Sequence, residues 1–201
     1  MRRVLVLALL ALALPMAAWA DGIELVNLHG SISITTGGIT SVGSQLHSFN
    51  GVVANPGHSL GSVSFSTGAL LSGSILNGGT FSDVGSSFVV IGKGPQVPHK
   101  GTIFSGAFVG PVSWTLISQH GVSLTYTLSG TIAGTLWNGH FVTGTTTQTI
   151  YSVNGQISQG IGHISVGGTI LPSPEPGTLG LLGTGLVAIA GMLRRKFTVN
   201  A

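Results

Sequence analysis

One pentapeptide in this chain has the spacing of a catalytic serine motif. Residues 57–61 are Gly-His-Ser-Leu-Gly, which matches the G-x-S-x-G turn that presents the nucleophile of many serine hydrolases. Asp83 and a later histidine could supply the acid and the base, the later histidines being His99, His120, His140 and His163. The motif requires a helix directly after the serine, whereas residues 62–66 alternate like a strand. We therefore interpret Ser59 as part of a loop that leads into a strand.

Other common catalytic and metal-binding patterns are poorly supplied in this sequence. Its histidines are His29, His47, His58, His99, His120, His140 and His163. Their closest spacing is eleven residues, so no local H-x-H or H-x-x-x-H metal pair is present. Glycoside hydrolysis needs two facing carboxyl groups, and Asp83 is the only acidic residue between Glu24 and Glu175. We predict no cofactor, no metal and no enzymatic activity. The alternative is an exported hydrolase that uses Ser59 or histidines assembled by the fold.

Charge is scarce and sits mainly at the two ends of the chain. Only 5% of the 201 residues are charged, against roughly 25% in an average soluble domain. In residues 21–171, two lysines and three carboxylates give a side-chain charge of −1, which seven protonated histidines would raise to +6. The positive net charge of the chain therefore comes from its two ends, and residues 21–171 have no basic patch that could bind nucleic acid. Because imidazole gains its proton between about pH 7 and 5, we expect acid to raise affinity for anionic polysaccharide.

The N-terminal residues have the pattern of a secretory signal. Two arginines precede the apolar run 4–14, and Ala18 and Ala20 are small residues at the two positions that a signal peptidase recognises. We predict that residues 1–20 are a signal helix removed by signal peptidase. The exported part then begins at Asp21 and contains no cysteine.

The C-terminal residues combine three unlike parts. A proline-rich spacer at 172–176 precedes an apolar stretch at 177–193, which Arg194, Arg195 and Lys196 follow within a basic tail at 194–201. As a helix, the apolar stretch spans about 25 Å, and flanking basic side chains can extend it to the membrane surface. Basic residues favour the cytoplasmic side. We predict a transmembrane helix with residues 21–171 outside and the basic tail as the stop-transfer cluster.

This C-terminal order resembles the PEP-CTERM sorting signal of bacterial exported proteins. The string SPEPGTLGLLGTGLVAIAGMLRRK carries the resemblance. In that family an exosortase, a membrane enzyme, is thought to recognise the Pro-Glu-Pro motif and remove the tail. The resemblance implies that Pro174, Glu175 and Pro176 are the recognition residues, and that the helix anchors the protein in the cytoplasmic membrane until processing sends it to the cell surface or extracellular matrix.

Residues 21–171 have the pattern of one antiparallel sheet domain. From Val122 to Leu136 apolar residues or glycine alternate with Ser or Thr over most positions, which is typical of a strand with one buried face. Four Asn-Gly pairs, at 50–51, 77–78, 138–139 and 154–155, predict tight hairpins with type I′ turns. We predict an all-β domain, a sandwich or barrel-like meander of roughly eight to twelve strands. A β-solenoid is the alternative, although no constant repeat length is found.

Two tryptophans in this domain differ in their pattern. Trp114 shares the apolar face of residues 104–116 and is expected in the core, whereas Trp137 lies on the polar face beside an Asn-Gly turn. Trp137 is therefore our candidate for stacking on a sugar ring. Together these features predict a non-enzymatic protein of the cell surface or matrix, with extracellular polysaccharide as a possible partner.

Overall fold

The computed structural model of this protein describes residues 22–167. The predicted signal peptide with Ala18 and Ala20, the sorting motif, the transmembrane helix and the basic tail lie outside the described residues. Within 22–167, the structure has no helix that is long and apolar enough to cross a membrane.

Residues 22–167 form strands joined by turns and loops, which confirms the all-β prediction. The twelve strands of this range are β1 (Ile23–Leu28), β2 (Ser31–Thr35), β3 (Gly38–Phe49), β4 (Val52–Val53), β5 (Gly61–Ser66), β6 (Leu70–Ser74), β7 (Gly78–Phe81), β8 (Ser87–Gly92), β9 (Gly101–His120), β10 (Ser123–Leu136), β11 (Phe141–Val153) and β12 (Gln156–Gly167). The longest, β9 and β10, are the two segments in which the apolar alternation runs furthest.

Eight of these strands close into an antiparallel barrel. Their order is β10, β11, β12, β1, β3, β5, β8 and β9, and β9 pairs back with β10 to complete the ring. Strands β2 and β4 pair with β3 but do not belong to the ring. The β6–β7 hairpin pairs through β7 with residues 112–114 of β9. The barrel-like meander is therefore the correct form of the prediction. The solenoid alternative is wrong, because every pairing described in the structure is antiparallel.

The four Asn-Gly pairs all lie at hairpins, but only two have the predicted backbone. At Asn50-Gly51 and Asn154-Gly155 both residues have positive φ, as a type I′ turn requires. At 77–78 and 138–139 only the glycine does. The turns there are longer, since the β10–β11 turn is closed by a hydrogen bond from the Leu136 N–H to the His140 carbonyl. The asparagine can then keep an ordinary negative φ.

Aromatic residues form two packed groups in the barrel, a phenylalanine cluster and a tryptophan–tyrosine stack. The rings of Phe65, Phe88, Phe104 and Phe108 pack with centroids 5.8–6.2 Å apart. Trp114 stacks on Tyr126 at 4.4 Å, and both donate hydrogen bonds to carbonyls of the β6–β7 turn, at 2.8 and 2.9 Å. Burial raises the pKa of Tyr126 above its ordinary value of 10.0, so its hydroxyl keeps its proton at neutral pH. Trp114, 1% exposed, is confirmed as a core residue.

A second part of the interior is polar. Asn27 and Gln148 are fully buried and form a reciprocal amide pair, with N–O distances of 3.0 and 3.2 Å. Ser44 and Thr146 accept further hydrogen bonds from these amides, at 2.8 Å each. Gln159 donates to Gln148 at 2.7 Å and accepts from Ser41. Every buried side-chain polar atom of the described residues has a partner, so this network escapes the cost of unpaired burial.

Gly162 makes the amide pair possible. It lies on β12, opposite Asn27 of β1 on one side and Gln148 of β11 on the other. A side chain there would overlap the Gln148 Oε1 and Asn27 Oδ1 atoms. The two amides therefore meet above a strand that presents no side chain between them.

Replacing Gly162 with Ala should lower the free energy of unfolding by about 2–3 kcal/mol, because the methyl group displaces amides that then lose buried partners. Urea unfolding measures this change. Gly94→Ala is the matched control, since a Cβ atom at Gly94 meets no atom within 4 Å. Equal stability of Gly162→Ala and wild type would contradict the role of the amide pair.

Candidate functional site

Ser59 lies in the loop that leads into β5, as the sequence predicts. The preceding residues form a turn in which the His58 N–H donates to the Asn55 carbonyl at 2.9 Å. Strand β5 starts two residues after Ser59, at Gly61. Among the described residues no helix follows this serine, so the strand-turn-helix geometry of a nucleophile elbow is not formed here.

Asp83 has a structural partner in the loop between β7 and β8. Its Oδ2 atom accepts a hydrogen bond of 2.8 Å from the backbone N–H of Gly110. Gly110 lies within β9, where the register against β10 shifts between Ser129 and Thr131. The carboxylate thus satisfies a backbone donor at an irregular point of the barrel wall.

Ser59 and Asp83 lie toward opposite ends of the same strand pair. Strands β5 and β8 are antiparallel, with Gly61 opposite Gly92 and Ser66 opposite Ser87. Ser59 lies two residues before Gly61, at one end of the strand pair. Asp83 lies four residues before Ser87, at the other end. The five steps along the strand from Gly61 to Ser66 span about 17 Å. The fold therefore does not bring the candidate nucleophile and the candidate acid together.

Three of the seven histidines do come together. His29, His47 and His58 line one surface cleft of about 340 Å³, with Gln45, Asn55 and Pro56 among its other lining residues. The remaining four are exposed on other segments, which are the loop before β9 (His99), the end of β9 (His120), the turn before β11 (His140) and the outer face of β12 (His163). Across residues 22–167 no three His, Asp or Glu side chains are arranged to hold a metal ion.

The local sequence gives no signal for this cleft. His29, His47 and His58 are 18 and 11 residues apart; the pairing of β1 with β3 brings the first two together, and the β4–β5 loop, bonded to β3, brings His58 to them. In that pairing Leu28 lies opposite Gln45. Only the strand order, which sequence patterns do not fix, makes these residues neighbours.

The outer face of four neighbouring strands carries rows of hydroxyl groups. One row joins Thr115, Thr127 and Thr149, a second joins Ser113, Ser129 and Thr147, and a third joins Thr131, Thr145 and Ser165. We call these nine residues the hydroxyl face. A shallow groove of about 190 Å³ crosses it, lined by Thr145, Thr147, His163, Ser165 and Glu24 among others.

Residues 22–167 have three exposed aromatic rings, of which Phe141 lies opposite Thr135 of β10 and the other two are our candidates for stacking. Trp137, 37% exposed, lies in the β10–β11 turn, where its backbone N–H donates to the Ile103 carbonyl at 2.9 Å. Tyr151, 41% exposed, lies opposite Thr125 of β10 and so borders the hydroxyl face. A side chain at Gly160 would overlap the Tyr151 ring, so this ring lies against bare backbone. Sequence reasoning missed Tyr151, although its place in the alternating run 141–151 marks it as outward-facing.

Comparison with known proteins identifies one segment of this chain. Residues 174–196 match a family model described as the PEP-CTERM protein-sorting motif, which confirms the resemblance seen in the sequence. That motif implies an exported protein that is sorted by an exosortase through a C-terminal signal. Neither the curated proteins nor the solved structures gave a match to the chain.

Asp83→Ala should lower the free energy of unfolding by about 1–2 kcal/mol, because it leaves the Gly110 N–H without its acceptor. Asp83→Asn keeps an acceptor oxygen and should cost less. Ser59→Ala should change stability by less than about 0.5 kcal/mol. Urea unfolding of the three variants checks this order, and a loss for Ser59→Ala as large as that for Asp83→Ala would contradict it.

Proposed function

We propose that this is a non-enzymatic protein of the cell surface or extracellular matrix that associates with polysaccharide through the hydroxyl face. The hydroxyl rows across β9–β12 are the observation that carries the proposal. The sorting motif supplies the context, since an exported protein sorted to the surface meets polysaccharide there.

The chemistry of this face suits a sugar. Each Ser or Thr hydroxyl both donates and accepts hydrogen bonds, as sugar hydroxyls do. Neighbouring strands place these groups about 4.8 Å apart, and alternate residues of one strand place them about 6.7 Å apart. A periodic array can therefore contact several units of a periodic polymer at once. The groove along Thr145, Thr147 and Ser165 is a shallow track that suits an extended chain.

Aromatic rings add the apolar contact that sugar rings need. Tyr151 borders the hydroxyl face and rests on the backbone of Gly160, so its free side is available for the C–H face of a sugar. Trp137 offers a second ring at the β10–β11 turn. Hydrogen-bonding rows and a flanking ring are two elements by which a surface made mainly of neutral side chains can hold a neutral glycan.

The absence of enzymatic activity is part of the proposal. It is supported by the separation of Ser59 from Asp83 along β5 and β8 and by the use of Asp83 as an acceptor for Gly110. The buried amides that could have formed an internal site hydrogen-bond to one another.

We further propose the route of export in residue detail. Signal peptidase cleaves after Ala20, and the helix at 177–193 with Arg194, Arg195 and Lys196 holds the protein in the cytoplasmic membrane. The exosortase recognises Pro174, Glu175 and Pro176 and removes the tail. The order of these parts in the sequence supports this route, as does the match at 174–196.

Replacing Thr145 and Thr147 together with Val should weaken binding to a neutral polysaccharide by about 5- to 30-fold, because two hydroxyl contacts worth about 0.5–1 kcal/mol each are lost. Affinity electrophoresis in gels that contain the polysaccharide measures this change. The matched control is Thr40→Val with Thr102→Val, two exposed strand threonines outside the hydroxyl face. Equal binding by both double variants and wild type would refute the hydroxyl face as the binding surface.

Replacing Pro174, Glu175 and Pro176 together with Ala should leave the protein at full length in the membrane fraction, because the exosortase no longer recognises its substrate. Wild type should appear in a shortened, surface-associated form. Immunoblots of cell fractions compare the two, with Ser173→Ala as the control. Normal processing of the triple variant would contradict the assignment of these three residues.

A further inference from the structure

We propose that the cleft of His29, His47 and His58 is a second carbohydrate site, which binds a carboxylate-bearing sugar of an acidic polysaccharide and is switched on by acid. It rests on the proposed association with polysaccharide for the source of the ligand. It does not rest on the hydroxyl face, which lies on other strands.

Backbone hydrogen bonds build this cleft before any ligand arrives. His29 follows the end of β1, His47 lies within β3, and His58 lies in the loop between β4 and β5. The loop is tied to β3 on both sides of its turn, by the Ala54 N–H donating to the His47 carbonyl and the Leu60 N–H donating to the Leu46 carbonyl, each at 2.8 Å. The backbone of the loop that carries His58 is thus fixed against the strand that carries His47, which reduces the entropy cost of ordering this loop on binding.

The lining of the cleft matches an anionic sugar once the imidazoles are protonated. An imidazolium donates from both ring nitrogens and carries a charge, and charge-assisted bonds to a carboxylate are about twice as strong as neutral ones. The amides of Gln45 and Asn55 can hold sugar hydroxyls, and Pro56 provides an apolar surface. The volume of about 340 Å³ falls within the usual range for small-ligand sites, about 300–1,000 Å³.

No carboxylate lies among the cleft's lining residues to neutralise these imidazoles. The charged residue of β1 is Glu24, which lies opposite Ser165 at the far end of that strand. Strand β12, packed against β1, carries His163 opposite Val26. Lys93 follows β8, and its backbone N–H donates to the Leu60 carbonyl. Strands β2, β4 and β5 carry no titratable side chain. Protonation of its imidazoles would therefore give the cleft a positive charge that no lining carboxylate cancels.

His29 itself occupies a strained backbone position. Its φ of 61° is in the left-handed region, which disfavours a residue with a side chain relative to glycine. Such strain is found most often at functional positions. A glycine or asparagine would fit this turn at least as well, so stability does not account for an imidazole there.

The test uses the full chain and an oligomer of uronic acid, with the fully methyl-esterified oligomer as its neutral counterpart. Calorimetry at about pH 5 and about pH 7.5 should show about tenfold tighter binding of the acidic oligomer at the lower pH. The neutral oligomer should show no such dependence. A wild-type protein that binds the acidic oligomer equally at both pH values would overturn the proposal.

Matched variants separate the cleft from net charge. The cleft variant, His29→Asn with His47→Gln and His58→Gln, should lose the pH dependence. The remote variant, His99→Gln with His120→Gln and His140→Gln, removes the same number of imidazoles and should retain it. Equal loss of the pH dependence in both variants would show that total charge is responsible and would overturn the site. Abolition of wild-type binding by EDTA would also overturn it, because a metal would then hold the ligand.

Two further measurements keep the result interpretable. His29→Gly alone should leave thermal unfolding unchanged or raise its midpoint while weakening binding at about pH 5, which a purely structural role for His29 would not produce. Binding of the neutral oligomer reports on the proposed function separately. Its loss in Thr145→Val with Thr147→Val, with acid-dependent binding intact, supports two independent sites. Acid-dependent binding that also disappears in that variant would overturn the separate cleft.

Discussion

The hydrogen-bonded pair of Asn27 and Gln148 constrains how the barrel can be assembled. These amides meet across β12 at Gly162, which has no side chain to separate them. A shift of one residue in either strand would turn a buried amide toward solvent and an outward residue into the interior. The pair thus fixes the register of β1, β12 and β11. That register in turn places Ser165 of β12 beside Thr145 of β11, which completes the third hydroxyl row.

The alternation of inward and outward residues along each strand explains how a domain with so few charges can present a polar exterior. Strand residues that point inward are mostly aromatic, aliphatic, amide or glycine, with a few hydroxyls bonded to the buried amides, whereas the outward residues of β9–β12 are mainly Ser and Thr. Hydroxyl groups form hydrogen bonds with water, so this surface needs no ion pairs. Threonine also favours the strand backbone. The low charge noted in the sequence is therefore a property of a surface built from hydrogen-bonding groups. Such a surface can exchange water for sugar without the desolvation cost that charged groups carry.

The sorting signal and the barrel divide the function between them. Residues 174–196 match a sorting motif and imply export, while the fold of residues 22–167 determines what the exported part can touch. The barrel offers two chemically distinct surfaces. The hydroxyl face consists of nine neutral side chains with Glu24 and His163 lining its groove, whereas the cleft gathers three imidazoles with no carboxylate among its lining residues. The two proposed binding surfaces therefore differ in the class of polysaccharide they would hold, neutral for the hydroxyl face and acidic for the cleft.

The sequence by itself determined the all-β class, the burial of Trp114, the four hairpin positions and the C-terminal sorting motif, because each depends on residues close together in the chain. Alternation sets which face is buried, Asn-Gly sets where the chain turns, and the order of proline motif, apolar stretch and basic cluster is linear. Tertiary structure alone decided between barrel and sandwich, since closure depends on β9 pairing with β10 on one edge and with β8 on the other. It also gathered His29, His47 and His58 while keeping Ser59 from Asp83. Those distances follow from strand order and register, which long-range packing fixes and local patterns do not encode.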